Sequence, residues 1–489
     1  MKKVVIHNVD EVYVRIECDD GVAWGLRDQF TFMVPGAQFS PQFKARLWDG
    51  KIRLFNVNTR QIYRGLVPYV IKHCEDHEYE WEYENEVYDE EFSLKEAQDF
   101  VASLGTTHEA RDYQLEAFVK AIRNRRMLML SPTASGKSFI IYLILRYLYD
   151  KGFAKRILII VPTTSLVSQL YTDFSDYGFD SSLLVHKIYA GENKQSNKPV
   201  VISTWQSIYE LPKKYFQQYD VVIGDEAHLF KAKSLAKIME GCVNAKFRIG
   251  TTGTLDGTKT HKLVLEGLFG PVEKITTTKT LMDQKHLAEF EIKCLVLKHN
   301  KDVCQAAKNF TYQEEIEFLV LNDSRNKFIC NLACSLKGNT LILYQYVEKH
   351  GVILDKMLTQ INKNNDRQVY FVHGGTEVEE REQIRALVEK EKDAIIVASY
   401  GTFSTGINIK NLHNLIFASP SKSRIRNLQS IGRALRTSKD KTNAVLFDIA
   451  DDLRNKKKEN YTLKHFAERV KIYMEEKFKF KVYKIELKH

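Results

Sequence analysis

Over most of this chain, apolar residues fall in short compact runs separated by stretches of helical period, with runs at 127–130, 156–161, 200–203, 221–224 and 248–251. Runs of this length between helical patterns predict parallel strands buried on both faces by helices. A second set recurs at 340–344, 368–372, 394–399, 415–418 and 444–448, so two similar α/β halves flank a connection near 272–290. Before residue 105 the pattern differs. Strand periods at 11–17 and 51–56 and a helical period at 66–77 predict a small α+β unit. Residues 78–86 alternate aromatic and acidic side chains, which puts Tyr79, Trp81 and Tyr83 on one strand face, expected as core, and the glutamates on the other. A helical period over 90–104 ends at Gly105, where the first boundary is set. The expected division is 1–104, 105–280, 281–450 and a basic helical tail, 451–489.

Charge adds a class of partner. Lys and Arg number 72 against 62 Asp and Glu, a net +10 that suits a polyanion. The tail carries 12 basic against 7 acidic residues, including Arg454 to Lys458, which makes it a solvated basic helix or a contact for DNA phosphates. The stretch 39–53 mixes aromatic and basic residues, as a nucleic-acid surface would and as a small core with a basic rim also would. Seven cysteines with no Cys-x-x-Cys pair predict reduced thiols in an intracellular, cytoplasmic protein. No segment approaches the roughly 18 apolar residues of a membrane span.

Candidate chemistry begins at Ser131 to Ser138, SPTASGKS, between an apolar run and a helical period at 139–149. Strand, small-residue loop and helix in that order make a phosphate-binding loop. The backbone N–H groups of Thr133, Ala134, Ser135 and Gly136 and the helix N-terminus face phosphates, Lys137 supplies a point charge, and Ser138 offers a hydroxyl to Mg²⁺. Ser131 stands where the G-x-x-x-x-G-K-[ST] pattern begins with Gly. The run at 221–224 leads into Asp225-Glu226-Ala227-His228, an acid pair at a strand end, where a doubly wound sheet opens its ligand crevice. Asp225 is suited to hold Mg²⁺ and Glu226 to orient and deprotonate an attacking water.

With these two sites in one domain, the chain resembles the superfamily 2 helicases, because further motifs follow in that family's order. Arg111, Tyr113 and Gln114 resemble its adenine-reading element. Thr163, Thr164 and Ser165 resemble motif Ia, Thr204 and Trp205 motif Ib, and Thr252 to Thr254 motif III. In the second half Gln345 resembles motif IV, His373 and Gly374 a strand-contacting loop, and Thr402, Gly406 and Asn408 motif V. Gln429 to Arg436 matches QxxGRxxR, motif VI. Helical spacing puts Gln429, Arg433 and Arg436 on one face. The stretch from Phe39 to Leu54 and Thr311 to Ile316 resembles the phage UvsW-type recombination and repair helicases, which extends the resemblance over nearly the whole chain.

The resemblance implies two tandem RecA-like P-loop domains, parallel sheets with helices on both faces, after the small α+β domain. It also implies an ATP- and Mg²⁺-dependent DNA helicase that unwinds or branch-migrates forked and junction DNA. Lys137, Asp225, Glu226, Gln429, Arg433 and Arg436 would carry hydrolysis. Arg111, Tyr113, Gln114, the loop 133–138 and Gly406 would hold nucleotide, Ser138 and Asp225 the metal. Thr163, Thr164, Ser165, Thr204, Trp205, Gln345, His373, Gly374 and Thr402 would contact DNA. The implied partners of this monomer are single-stranded, forked and branched DNA, with recombination or single-strand-binding proteins beside them. An RNA helicase and a DNA-annealing protein with a vestigial ATPase are the alternatives.

Overall fold

The structure is a computed structural model that describes residues 2–84, 91–230, 232–362, 367–405, 409, 411–419, 423–435, 441, 443–456 and 458–487. The chain forms two compact units, Met1–Ser131 with Gly136–Ile275, and Pro132–Ser135 with Thr276–His489.

The first unit opens with a small α+β domain. Its strands are β1 (Lys3–Asn8), β2 (Tyr13–Glu17), β3 (Thr31–Met33), β4 (Lys51–Arg53), β5 (Gln61–Tyr63) and β6 (Glu80–Tyr83). They make a four-stranded sheet of order β5-β2-β1-β6 and a separate β3-β4 ladder. Helices Asp20–Gln29 and Val67–Asp76 cover the sheet, and Val4, Ile6, Val14, Ile16, Leu26, Val70 and Leu66 fill its core. The aromatic face of β6 is only partly core. Tyr79 and Tyr83 pack against it, but Trp81 is 39% exposed, because β6 is an edge strand that pairs with β1 alone. The stretch 39–53 is divided: Phe39 is 73% and Leu47 81% exposed, while Phe43, Trp48 and Ile52 are half-buried.

The same unit continues into seven parallel strands: β7 (Arg126–Leu130), β8 (Ile157–Val161), β9 (Val185–Ile188), β10 (Val200–Thr204), β11 (Val221–Asp225), β12 (Phe247–Thr252) and β13 (Val272–Lys274). Their order is β13-β7-β12-β11-β8-β10-β9. Successive strand residues feed two different cores. Met127, Ile157, Ile159 and Val221 enter one, while Leu128, Leu158, Ile160 and Val222 enter the other. A strand buried on both faces carries apolar residues at most positions, which explains why these segments read as near-continuous runs.

The small domain seats on this sheet's helices. The turn Arg64–Leu66 lies against helix Lys259–Phe269 so closely that a Cβ on Gly65 would strike the Glu266 carbonyl, and one on Gly267 would sit 2.8 Å from the Tyr63 ring. Tyr63 donates to Glu240 at 2.6 Å and Tyr69 to Glu266 at 2.7 Å, while Leu263 joins the small domain's own core.

The second unit holds β14 (Glu289–Lys298), β15 (Thr340–Tyr344), β16 (Val369–Val372), β17 (Ile395–Ser399), β18 (Asn414–Phe417), β19 (Asn443–Asp452) and β20 (Lys479–Glu486). All pair in parallel, in the order β16-β17-β15-β18-β19-β14-β20. With the first sheet they complete the expected tandem RecA-like architecture. The basic helix expected beyond residue 450 is present at Tyr461–Glu475, but it is anchored rather than solvated. Its Arg469 and Tyr473 are buried on Asp448, and the chain then enters the sheet as β20, whose charged alternation hides an edge strand from a search for apolar runs.

Candidate active site

The loop that follows β7 turns through Ala134, at φ +66°, and Gly136, at φ +79°, before helix Lys137–Asp150 begins. The left-handed backbone favours Gly136 there, and a Cβ at this position would meet the amide end of the Gln114 side chain. Gln114 is buried, and its Oε1 accepts from the Arg111 backbone N–H at 2.9 Å, while the Arg111 guanidinium donates to the Tyr113 hydroxyl at 2.7 Å. The three adenine-reading candidates therefore form one local cluster behind the loop. Ser131 ties the loop to the sheet, donating its N–H to the Thr252 carbonyl at 2.9 Å, and its own carbonyl accepts from Lys137 Nζ at 3.3 Å. The Ser135 hydroxyl donates to the Pro132 carbonyl at 2.7 Å. Thr133 and Ser138 are half-buried, Ser138 in the helix's first turn.

Asp225 ends β11 beside β12, paired in register with Thr251. The Thr251 hydroxyl donates to its Oδ1 at 2.5 Å. Burial and the neighbouring Glu226 raise the Asp225 carboxyl above its ordinary value, while Lys137 and the Thr251 hydrogen bond act in the opposite direction. Glu226 takes a left-handed conformation, φ +52°, and turns the chain sharply out of the strand. Its carboxylate lies 3.3 Å from His228 Nδ1, which is also 3.1 Å from the Thr252 hydroxyl. Phosphate loop, acid pair and the start of motif III are thus gathered at one end of three neighbouring strands. Thr251 and His228 are the participants that the sequence reading did not assign. Cross-strand register brings Thr251 to Asp225, which no spacing along the chain reports, whereas His228 follows Glu226 in the same motif and only its contact with Thr252 depends on the fold.

Among the described residues no three His, Cys, Asp or Glu side chains gather into a metal cage. The set available to a metal here is one carboxylate, Asp225, and one hydroxyl, Ser138. Mg²⁺ at nucleotides is held by such a set, with phosphate oxygens and water supplying the remaining ligands, so the residues fit it in kind.

The strand-contact candidates of the first unit follow the C-terminal ends of β8 and β10, where Val161 and Thr204 are register partners. Thr163 caps helix Thr164–Asp176, and Thr164 and Ser165 are exposed. Thr204 is buried, its hydroxyl 2.8 Å from that of Ser207, and Trp205 stacks edge-on with Tyr209.

In the second unit the candidates again follow strand ends. Gln345 lies beyond β15, where its Oε1 accepts from Arg426 at 2.5 Å and its N–H donates to the Ser419 hydroxyl at 3.0 Å. His373 and Gly374 follow β16, and His373 Nδ1 accepts from the Gly375 N–H at 3.1 Å. Thr402 is buried, its hydroxyl 2.8 Å from that of Ser399. Gln429 and Arg433 lie on helix Arg424–Ala434, both half-buried, with the Arg433 guanidinium 5.7 Å from the Phe403 ring centre. Gly406, Asn408 and Arg436 lie outside the described residues.

Three family models match the chain. They are "DNA helicase UvsW, N-terminal" over residues 3–84, "Type III restriction enzyme, res subunit" over 107–257, and "Helicase conserved C-terminal domain" over 324–438. The ATP-dependent DNA helicase uvsW of Enterobacteria phage T4 is 36% identical over 500 residues, covering 98% of each chain. The DNA 3'-5' translocase XPB2 of Sulfurisphaera tokodaii is 23% identical, over 70% of this chain and 81% of that protein. The crystal structure of T4 UvsW is 34% identical with a TM-score of 0.53, covering 99% of this chain and 100% of that one.

Proposed function

Since the chain belongs to the UvsW family of superfamily 2 helicases, we propose that it is an ATP-driven DNA translocase that unwinds or branch-migrates forked and junction DNA in recombination, repair or replication. The observation that carries this reading is the cluster at the end of β11: Lys137, Asp225 on its Thr251 donor, and Glu226 poised by its left-handed turn. Lys137 binds and neutralises phosphate charge. Glu226 orients the attacking water and takes its proton, and Thr251 fixes the Asp225 carboxylate. Mg²⁺ held at Asp225 and Ser138 supplies charge neutralisation at the phosphates when bound. Gln429, Arg433 and Arg436 stabilise the charge spread over the transferring phosphoryl group, a role worth roughly 10³ to 10⁵ in rate where a guanidinium fork performs it. The loops after β8, β10, β15, β16 and β17 hold the DNA backbone. The domain division at residues 104, 280 and 450 assigns hydrolysis and strand movement to the two α/β halves and substrate engagement to the small domain. Seven free cysteines suit the reducing cytoplasm of a host cell, and no described helix is long and apolar enough to cross a membrane.

The test is ATP turnover by the whole chain against single strands, duplex, forks, four-way junctions and RNA at one salt concentration, alongside Lys137→Ala and Glu226→Gln. Strongest stimulation by branched DNA, abolished turnover in both variants and retained DNA binding are expected. Stimulation by RNA alone, or near-wild-type turnover in either variant, overturns the reading.

A further inference from the structure

The second unit contains a groove of about 1030 Å³ to which six lysines contribute: Lys279, Lys285, Lys441, Lys477, Lys479 and Lys481. Three carboxylates, Asp283, Glu289 and Glu291, also line it, which leaves a balance of three positive charges. Some of the lysines are already engaged. Lys279 pairs with Asp283, Lys481 lies 3.9 Å from Glu291, and Lys441 is buried, donating to the Ala434 carbonyl. Lys285, Lys477 and Lys479 are exposed and enter no ion pair among the described residues.

The groove's place in the sheet separates it from the loops already described. Glu289 pairs with Asn443 and Glu291 with Lys479, so it opens at the N-terminal ends of β14, β19 and β20. Gln345, His373 and Thr402 follow the C-terminal ends of β15, β16 and β17, which run parallel to these strands. The lysines therefore lie at the opposite end of the strands from the crevice where an open α/β fold takes its ligands.

Lysines at helix ends have an ordinary explanation. Lys285 and Lys477 sit in left-handed turns, φ +59° and +57°, just past helices Thr278–Asp283 and Tyr461–Glu475, where a cation complements the helix dipole. That explanation does not reach Lys479 and Lys481. These two alternate on one face of an edge strand, about 6.6 Å apart by strand geometry, and converge on the same groove. Nor does it explain lysine at two positions where glycine is the unstrained residue.

We propose that this groove binds the phosphodiester backbone of a duplex arm, a second DNA contact separate from the motor's own strand path. A row of point charges matches a polymer of evenly spaced anions better than it matches one compact anion. The aromatic rings at the groove are committed to packing: Phe290 is buried on Phe478, and Phe480 is half-buried near Tyr473. No stacking platform for unpaired bases is therefore offered, and the contact reads backbone rather than sequence. The inference rests on the proposed action on branched DNA and names where a second arm is held.

The test compares the full-length chain with its Lys285→Gln/Lys477→Gln/Lys479→Gln variant and the matching Lys→Arg variant. Affinity for a fork with duplex arms and for a single strand is measured by fluorescence anisotropy from 50 to 300 mM salt, beside ATPase stimulated by single strands. Each lost phosphate contact lowers the slope of log K against log salt by about 0.9. The Gln variant should lose about 2 to 3 in slope and roughly tenfold or more in affinity on the fork, with single-strand binding and stimulated ATPase unchanged and the Arg variant like wild type. An unchanged fork slope overturns the groove, even if it serves an acidic protein instead. Equal losses on fork and single strand overturn its separation from the motor path. Failure of DNA to stimulate the wild-type ATPase is a different result and counts against the function itself.

Discussion

Thr251 donates its hydroxyl to Asp225 Oδ1 at 2.5 Å, across the register of two neighbouring parallel strands. A buried carboxylate with Glu226 beside it needs such a donor to stay fixed and charged. Thr251→Val should therefore cost about 1.5–3 kcal/mol of the interaction, a fall of roughly 10- to 150-fold in kcat. Thr251→Ser keeps the donor and should recover most of the rate. Steady-state ATPase on both variants checks this, and a Val variant at wild-type kcat excludes the role.

Arg433 lies on the motif VI helix with Gln429. If it acts on transition-state charge, Arg433→Ala lowers kcat by about 10³ while KM for ATP moves little. A rise in KM with kcat preserved assigns it to ground-state nucleotide binding instead. Arg433→Lys keeps the charge and loses the fork, so only partial rescue is expected.

Ala134 holds a left-handed backbone, φ +66°, where an L-residue pays roughly 1–2 kcal/mol. Ala134→Gly should relieve part of that strain, offset by the added freedom of glycine in the unfolded chain. The expected outcome is an ADP affinity close to wild type, with thermal stability within about 1 kcal/mol of it. Isothermal titration with ADP, beside a melting curve, measures both.

Asp448 is fully buried in the second unit, accepting from Arg469 Nη2 at 2.8 Å and from the Tyr473 hydroxyl at 2.8 Å. Arg469→Met strands that carboxylate and should cost about 3–5 kcal/mol, or roughly 10 °C in Tm for a unit of this size. Adding Asp448→Leu removes the stranded charge, and the double variant should regain most of the loss.

His350 is buried between the Ser419 hydroxyl, 3.0 Å from Nδ1, and Asn326 Oδ1, 3.1 Å from Nε2. Burial and the nearby Arg325 push its pKa down to about 3, with Asp451 opposing them. The unfolded chain takes up a proton near pH 6.5 that the fold refuses, so unfolding binds protons between these values. This stability is complete above about pH 6.5 and is lost at up to about 1.4 kcal/mol per pH unit as pH falls toward 3. From the ordinary carboxylate value of about pH 4 downward, Asp451 adds a further loss. Burial favours its protonation, but Arg325 and His299 outweigh this and hold it below its usual range. Chemical denaturation from pH 7 to 4 should show a shallower acid-side slope, by one proton, in His350→Gln.

Much of this was legible in the chain. Ten of the twenty strands among the described residues stood out as runs, because a strand buried on both faces has few polar positions to interrupt it. Lys137, Asp225 and Glu226 could be named as candidates from the chain alone, since phosphate-loop and acid-pair patterns are written in contiguous residues. Strands β9, β13, β14 and β20 were not, being short, or long and mixed in polarity, or charged along an exposed edge. Thr251 reaching Asp225 from β12, Gln114 closing on Gly136, and lysines from residue 279 to 481 meeting at one groove were decided only by tertiary structure. The reason is the same in each case. Period and motif report forces acting within one element, whereas register and packing join residues whose separation along the chain carries no information about their distance in space.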